Sequence, residues 1–126
     1  MGGILGLFVV SASERVEDFE MEFISPREFQ RIVPISKWLK SGIEVVIGNQ
    51  QGSYIYIKWP DHEVLPKHAT LYYEKNAVFL LPIGDILLNG EVIGKSNKVK
   101  LKNGDIIKLG RDGETQLRYK EKVNYA

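Results

Sequence analysis

The strongest constraint on the fold is a hairpin signal in the second half of the chain. Asn89-Gly90 stands between two short apolar runs, Asp85–Leu88 and Glu91–Ile93, and Asn-Gly is the most characteristic sequence of a two-residue turn between antiparallel strands. Both residues of such a turn adopt positive φ, which asparagine and glycine tolerate best. The sequence therefore predicts a β-hairpin over residues 85–93.

Similar short runs occupy most of the chain from residue 20 onward. They are bounded by turn-forming residues, and many alternate apolar with polar side chains, as strands do. The other predicted strands are Glu20–Phe23, Phe29–Ile35, Ile43–Ile47, Tyr54–Trp59, Ala69–Tyr73, Ala77–Leu81, Lys98–Lys102, Ile106–Leu109 and Thr115–Tyr119. Helical periodicity is limited to two short turns, at Glu14–Asp18 and Lys37–Lys40. The pattern predicts an all-β fold, a sandwich of about eleven short antiparallel strands.

Composition limits the range of functions. The 126 residues are enough for one domain with one core. Seventeen Lys and Arg against 16 Asp and Glu leave a net charge of +1, so the overall charge favours neither a nucleic acid nor a membrane as partner. The chain has no cysteine, which excludes disulfides and thiolate metal sites. We expect a cytoplasmic domain.

The first residues differ from the rest. Met1–Ser13 is apolar but has no basic start, unlike a signal peptide, and it is shorter than the roughly 20 residues of a membrane-spanning helix. We interpret residues 1–18 as an N-terminal apolar and acidic extension and residues 19–126 as the domain. The extension is expected to form a strand or an ordered arm. The alternative is the remnant of a membrane anchor or of a preceding domain.

Four sequence blocks occur in an order and at distances that a known family shares. They are Val46–Gly48, Val64–Ala69, Leu88–Ile93 and Leu101–Gly110. With these blocks the chain resembles the forkhead-associated (FHA) family, in which the last two have the forms V-N-G-x-x-I and L-x-x-G-D-x-I-x-L-G. The resemblance implies an FHA-like (SMAD/FHA) β-sandwich that binds other proteins, usually through phosphothreonine peptides.

The family's phosphate-binding positions carry other residues here. The family arginine after the strand-ending glycine corresponds to Asn49, the serine–arginine pair before the family histidine to Leu65 and Pro66, and the family asparagine to Gly84. Each charge-assisted hydrogen bond contributes roughly 1.5–3 kcal/mol. Loss of two costs about 3–6 kcal/mol, enough to turn a micromolar ligand into a millimolar one. We therefore predict an interaction module that does not depend on phosphate.

The resemblance also implies which residues serve binding and which serve structure. The loops Asn49–Ser53, Asp61–Lys67 and Pro82–Asp85 would contact the partner. The predicted partner-binding residues are Asn49, Gln50, Gln51, Ser53, Leu65, Lys67, Gly84 and Asp85. The predicted structural residues are Gly48, His68, Asn89, Gly90, Gly104 and Asp105. The partner would be another protein or a neighbouring domain, because similar variants are fused to larger bacterial or archaeal proteins with von Willebrand A-type or membrane-associated domains.

Two histidine-containing features are candidates for chemistry. His68 could act as a ligand or general base, but the resemblance implies a structural role in which its ring bonds the backbone of neighbouring loops. Asp61-His62-Glu63 mixes carboxylates with a histidine, yet adjacent residues rarely converge on one metal ion. We interpret this triplet as a solvated loop. The nucleophile, P-loop and H-E-x-x-H motifs are absent from the sequence, so we expect no enzyme, cofactor or metal.

Two other functions are compatible with the sequence. Lys67 and Asn49 could bind a phosphothreonine peptide weakly in place of the missing groups. Alternatively, the basic strand Lys98–Lys102, together with exposed Tyr54 and Tyr56, could bind nucleic acid. Acidic residues are concentrated between residues 14 and 28 and basic ones between residues 95 and 122. This asymmetry indicates either a solvated face or an electrostatic docking surface.

Overall fold

In the computed structural model, which describes residues 14–125, two β-sheets pack face to face. The predicted N-terminal arm, Met1–Ser13, lies outside the described residues. The strands are β1 Glu14–Ser25, β2 Arg31–Pro34, β3 Val45–Gly48, β4 Ile55–Tyr56, β5 Ala69–Glu74, β6 Ala77–Pro82, β7 Ile86–Leu88, β8 Glu91–Ile93, β9 Val99–Lys100, β10 Ile106–Leu109 and β11 Gln116–Tyr125. A 3₁₀ turn covers Arg27–Phe29, and a short helix, α1, covers Ser36–Lys40.

The sheet order confirms the predicted sandwich. One sheet has six strands in the order β2-β1-β11-β10-β7-β8, and the other has five in the order β4-β3-β5-β6-β9. Among the described strands, the pairings are antiparallel except for β3 with β4, which run parallel. The predicted strand Tyr54–Trp59 is much shorter than expected, because only Ile55 and Tyr56 pair with β3 before the chain leaves the sheet.

The core lies between the sheets and follows the alternation of the strands. Phe19, Met21 and Phe23 on β1 are fully buried and face the opposite sheet. Leu71 and Leu80 on the five-stranded sheet are equally inaccessible. Burying a side chain of this size stabilises the fold by roughly 1.5–3 kcal/mol. Alternation in the sequence therefore decides which residues form the core.

The predicted helical turn at Glu14–Asp18 is wrong, because these residues belong to β1. Glu14 pairs with Tyr125, and the ladder continues along β11 to the pair Ser25 and Gln116. A capping pattern fixes only one turn of backbone, whereas this ladder satisfies backbone groups along a whole strand. The expected boundary between residues 18 and 19 consequently lies inside β1.

The pairing of β1 with β11 also brings the acidic and basic segments of the sequence together. Three acidic residues of β1 lie opposite three cations of β11. The cross-strand partners are Asp18 with Lys122, Glu20 with Lys120 and Glu22 with Arg118. Lys122 Nζ lies 2.9 Å from Glu20 Oε1, and Arg118 Nη1 lies 3.2 Å from Glu22 Oε1. These three acidic residues of β1 are therefore neutralised by the last three cations of the basic segment, on the outer face of the six-stranded sheet.

The predicted hairpin is confirmed, and it forms part of one end of the sandwich. Asn89 and Gly90 have φ values of 52° and 88°, as a type I′ turn requires. Asn89 donates from Nδ2 to Asp105 Oδ1 at 3.0 Å and accepts at Oδ1 from the Ile106 N–H at 2.9 Å. Asp105 Oδ2 accepts from the Lys102 N–H at 2.8 Å. These bonds join the β7–β8 turn to the β9–β10 turn.

Candidate functional site

Three loops meet at the opposite end of the sandwich, where Asp85 precedes β7. Asn49, which follows β3, donates from its backbone N–H to Leu65 O at 3.1 Å and from its side-chain Nδ2 to Val64 O at 2.9 Å. The Gln50 N–H donates to Pro66 O at 3.3 Å. The β3–β4 and β4–β5 loops are therefore fixed to each other by backbone carbonyls, and the Asn49 amide contributes to this contact.

Gly48 makes the close approach of these loops possible. A Cβ atom at this position would lie 2.0 Å from Pro66 O and 3.0 Å from Leu65 O. Both are backbone atoms, so they could move away only with the whole β4–β5 loop. The glycine is needed here because of this contact rather than because of an unusual φ.

His68 holds the β4–β5 loop against the β6–β7 loop. Its side chain is only 1% exposed. The Leu65 N–H donates to Nδ1 at 3.1 Å, and Nε2 lies 2.7 Å from Asp85 O. Since Nδ1 accepts, the proton of a neutral ring stands on Nε2 and is donated to that carbonyl. Burial lowers the pKa of His68, although the Asp85 carbonyl and nearby carboxylates favour the charged form.

Gly84 lies directly beside this histidine and leaves no space for a side chain. The N–H groups of Ile83 and Gly84 both donate to His68 O at 2.9 Å. A Cβ at position 84 would approach His68 Cε1 to 2.8 Å and Leu65 Cδ1 to 2.9 Å. An asparagine at this position would collide with a ring that two hydrogen bonds hold in place.

Asp85 is surrounded by two cations that the sequence analysis did not assign to this end. Lys95 Nζ lies 3.4 Å from Asp85 Oδ1, and Arg111 Nε lies 3.9 Å from Oδ2. The Gly110 N–H donates to Asp85 O at 2.7 Å, which brings the β10–β11 loop into the site. The charged side chains are about half exposed, so each pair contributes at most about 1 kcal/mol. These pairs matter because they place two cationic side chains at this end of the sandwich.

Asp61 cross-links the β4–β5 loop to the β10–β11 loop. The interpretation of Asp61-His62-Glu63 as a solvated loop did not predict this role. Its Oδ2 accepts from the Thr115 hydroxyl at 2.7 Å and from the N–H groups of Thr115 and Glu114, both at 3.1 Å. Its Oδ1 accepts from the Glu63 N–H at 3.0 Å. Partial burial alone would raise the pKa of Asp61, but these bonds stabilise the carboxylate and lower the pKa below its usual value.

The network continues into the core through Trp59, whose Nε1 donates to Thr115 Oγ1 at 2.9 Å. Asp61 is therefore connected to a buried indole through one hydroxyl group. Within the described part of the chain, His, Asp and Glu side chains form no group of three or more that could hold a metal ion. The sequence near Asp61 indicates only a turn after Pro60. The cross-link could not be predicted from it, because the partner, Thr115, lies 54 positions away.

We call the end of the sandwich that carries the loops at residues 49–53, 61–67 and 82–85 the loop end. Its surface has both apolar and polar groups. Leu65 and Ile83 are 43% and 38% exposed, which is high for large apolar side chains. Lys67 is also exposed, as are Gln50 and Gln51. Ser53 is partly buried in a turn in which its N–H donates to Gln50 O at 3.0 Å. Most of the predicted partner-binding side chains therefore face solvent at the loop end. The side-chain amide of Asn49 instead donates its hydrogen bond within the protein, to Val64 O.

The residues expected for nucleic-acid binding do not come together. Tyr56 lies on β4 and Lys100 on β9, at opposite edges of the five-stranded sheet, about 19 Å apart at the usual strand spacing. The Tyr54 ring packs against Trp38, with centroids 4.8 Å apart. Lys98 pairs with Glu74. The strand Lys98–Lys102 and the two tyrosines therefore do not form the single surface that was predicted for nucleic-acid binding.

The family model of the FHA domain matches residues 45–110, from β3 to the end of β10. This match covers more than half of the chain, and the chain belongs to the FHA-domain family. FHA domains are protein-interaction modules that generally bind phosphothreonine peptides. The resemblance stated from four sequence blocks is thereby confirmed.

Solved structures, two FHA domains among them, share the fold. The N-terminal FHA domain of Rad53p from S. cerevisiae, determined with a phosphothreonine peptide, has a TM-score of 0.68 and 19% identity, covering 83% of this chain and 94% of that one. The FHA domain of an Arabidopsis thaliana hypothetical protein has a TM-score of 0.65 and 25% identity, with 88% and 87% coverage. Full-length yeast Pml1p has a TM-score of 0.69 and 14% identity, with 83% and 82% coverage.

Among curated proteins, none is similar enough in sequence to count as a relative. No helix within residues 14–125 combines the length and the hydropathy needed to cross a membrane.

Proposed function

We propose that the loop end binds another protein, or a neighbouring domain of a longer chain, without requiring a phosphate. The contact would involve Asn49, Gln50, Gln51, Ser53, Leu65, Lys67, Gly84 and Asp85. Gly48, His68, Asn89, Gly90, Gly104 and Asp105 would maintain the loops and turns. We assign a binding role rather than a catalytic one.

The observation that carries this proposal is the exposed side chain of Leu65. It occupies the position that the family resemblance assigns to a phosphate-binding serine, and it is 43% exposed beside His68. Gly84 has no side chain to hold a peptide backbone and no space for one. An apolar group at this point favours a partner that presents an apolar or backbone surface. A dianion would be desolvated there without hydrogen bonds to replace its water.

Paired peptide libraries test the independence from phosphate. Each sequence would be offered as threonine and as phosphothreonine, and binding would be measured by fluorescence anisotropy. We expect the two forms to bind equally well. A preference of ten-fold or more for the phosphorylated form, about 1.4 kcal/mol, would show that the proposal is wrong.

Variants at the loop end test the surface itself. Leu65→Ser and Lys67→Ala should weaken every interaction detected in a partner screen. Ile32→Ser is the matched control, because Ile32 is an equally exposed apolar residue, 51% accessible, on edge strand β2. Unchanged binding of all partners to the loop variants would contradict the proposal.

A residual phosphate site is the second candidate function. The observation that favours it is the presence of Lys95 and Arg111 beside Asp85, to which exposed Lys67 could add a third cation. The other group expected to help, Asn49, already donates from Nδ2 to Val64 O. If this function exists, Arg111→Gln should abolish any preference for phosphothreonine in the paired libraries.

A further inference from the structure

The carboxylate of Asp85 lies between two cations that come from other loops. Lys95 Nζ, in the β8–β9 loop, is 3.4 Å from Oδ1, and Arg111 Nε, in the β10–β11 loop, is 3.9 Å from Oδ2. Each carboxylate oxygen therefore faces a different cation. Among the residues that the structure describes, Lys95 and Arg111 form their ion pairs with Asp85 alone. Two cations thus share one carboxylate.

Hydrogen bonds hold the backbone that carries this carboxylate. The Asp85 carbonyl oxygen lies 2.7 Å from His68 Nε2 and accepts from the Gly110 N–H at 2.7 Å. The Gly84 N–H, one residue earlier, donates to His68 O at 2.9 Å. Because the backbone is fixed in this way, only the short side chain of Asp85 has to be ordered when its carboxylate approaches the cations. The carboxylate therefore stays near Lys95 and Arg111 at a small cost in conformational entropy.

This arrangement affects the choice of ligand more than the stability of the fold. The side chains of Lys95 and Arg111 are 59% and 60% exposed, and ion pairs as exposed as these contribute little to the free energy of unfolding. Exposed cations at a binding surface attract anionic ligands. An anion that approaches Lys95 or Arg111, however, also approaches the carboxylate of Asp85. Asp85 therefore weakens the attraction that the two cations would otherwise exert.

Asp85 is also close to Leu65, which stands at the position that the family resemblance assigns to a phosphate-binding serine. Only the His68 ring separates the two backbones, since the Leu65 N–H donates to Nδ1 at 3.1 Å and Nε2 lies 2.7 Å from Asp85 O. At such short range salt screens the repulsion between two anions incompletely, because the Debye length is about 8 Å at physiological ionic strength. A phosphate dianion beside Leu65 would therefore be repelled by Asp85.

We propose that Asp85 determines the specificity of the loop end: its carboxylate occupies Lys95 and Arg111 and so excludes phosphorylated ligands. The inference rests on the proposed binding without phosphate and supplies a second cause for it. Replacement of the family's phosphate-binding residues removes attraction, whereas Asp85 adds repulsion. Specific interfaces use such groups, which disfavour the wrong ligand, as well as groups that favour the right one.

Asp85→Asn tests the proposal, because asparagine has nearly the same size and shape but no charge. The native protein and the variant would be offered the paired threonine and phosphothreonine libraries, with binding followed by fluorescence anisotropy. We expect the native protein to bind both forms equally and the variant to bind the phosphorylated form at least five-fold more tightly. Inorganic phosphate, added at an ionic strength held constant with chloride, should shift the backbone amides of Gly84 and Arg111 in the variant but not in the native protein.

Glu91→Gln is the matched control. It removes the same charge at an exposed position beside the hairpin turn, at the opposite end of the sandwich, and should create no preference. Addition of Arg111→Gln to Asp85→Asn should remove most of the gained preference, because the released cation is then lost. Asp85 is partly exposed, so we expect its variants to fold, and urea unfolding verifies this.

The outcomes separate this inference from the proposed function. If Asp85→Asn gains no preference while the native protein binds both forms equally, or if Glu91→Gln gains as much, the role assigned to Asp85 is wrong and the proposed function stands. A preference of ten-fold or more that is already present in the native protein would refute the proposed function, and this inference with it.

Discussion

The hydroxyl group of Thr115 donates a 2.7 Å hydrogen bond to the carboxylate of Asp61, 54 positions earlier in the chain. The same carboxylate accepts the Thr115 N–H at 3.1 Å. The pair joins the loop before β5 to the loop before β11, and it lies next to the loops that we propose as the binding surface. The Asp61–Thr115 contact is therefore a structural one at the edge of the proposed binding surface.

Removal of this carboxylate should destabilise the domain. Asp61→Ala leaves the hydroxyl and N–H of Thr115 and the N–H groups of Glu63 and Glu114 without their acceptor. We expect the free energy of unfolding, measured with urea, to fall by about 2–4 kcal/mol, because hydrogen bonds to a charged group are among the stronger ones. Asp112→Ala, at an exposed position of the same β10–β11 loop, should change it by less than about 0.5 kcal/mol. Equal effects of the two substitutions would contradict this role of Asp61.

His68 should make stability depend on pH. Burial lowers the pKa of this imidazole in the folded domain, whereas in the unfolded chain it titrates near 6.5. As the pH falls below about 6.5, the unfolded state therefore takes up the proton first and the domain loses stability. The loss should continue until the pH passes the lower pKa of the folded state.

The measurement is the free energy of unfolding at several pH values between 7.5 and 5, for the native sequence and for His68→Gln. The variant should be less stable at pH 7.5 but should show a flatter dependence on pH. Nitrogen chemical shifts should also identify the neutral ring with its proton on Nε2, because Nδ1 accepts from the Leu65 N–H. Identical slopes for both proteins would rule out His68 as the source of the dependence.

A methyl group at position 48 should be poorly tolerated. In Gly48→Ala the new Cβ would lie 2.0 Å from Pro66 O, so the β4–β5 loop would have to move. We expect a loss of about 2 kcal/mol or more in the free energy of unfolding, with altered amide shifts at Asn49 and Gln50. Gln50→Ala, at an exposed position of the β3–β4 loop, serves as the control and should be nearly neutral.

Thr70 offers the opposite case, a substitution that should stabilise. Its side chain is fully buried on β5, and its Oγ1 has no hydrogen-bond partner among the described residues. Valine has almost the same shape, favours strands equally and has no hydroxyl group to desolvate. We expect Thr70→Val to raise the free energy of unfolding by about 1 kcal/mol. A decrease would show that the hydroxyl is satisfied after all.

Sequence signals that act over a few residues predicted local structure correctly where that structure does not depend on distant partners. Asn89-Gly90 predicted its hairpin because both residues supply the positive φ of the turn themselves. Pro34, in the predicted strand Phe29–Ile35, is typical of an edge strand because proline cannot donate to a neighbouring strand, and β2 is the edge of its sheet. The turn at Glu14–Asp18 was predicted wrongly, because its capping signal is local while the pairing partner, β11, lies about a hundred residues away.

The alternation of side chains along each segment determined the sandwich, the choice of core residues and the family, because strand periodicity and turn residues act over a few positions. Only the tertiary structure decided which distant groups meet. It set Asp61 against Thr115, placed Lys95 and Arg111 beside Asp85, and paired the acidic strand with the basic one. Those contacts depend on the register and order of strands far apart in the chain, and register is fixed by how the whole core packs.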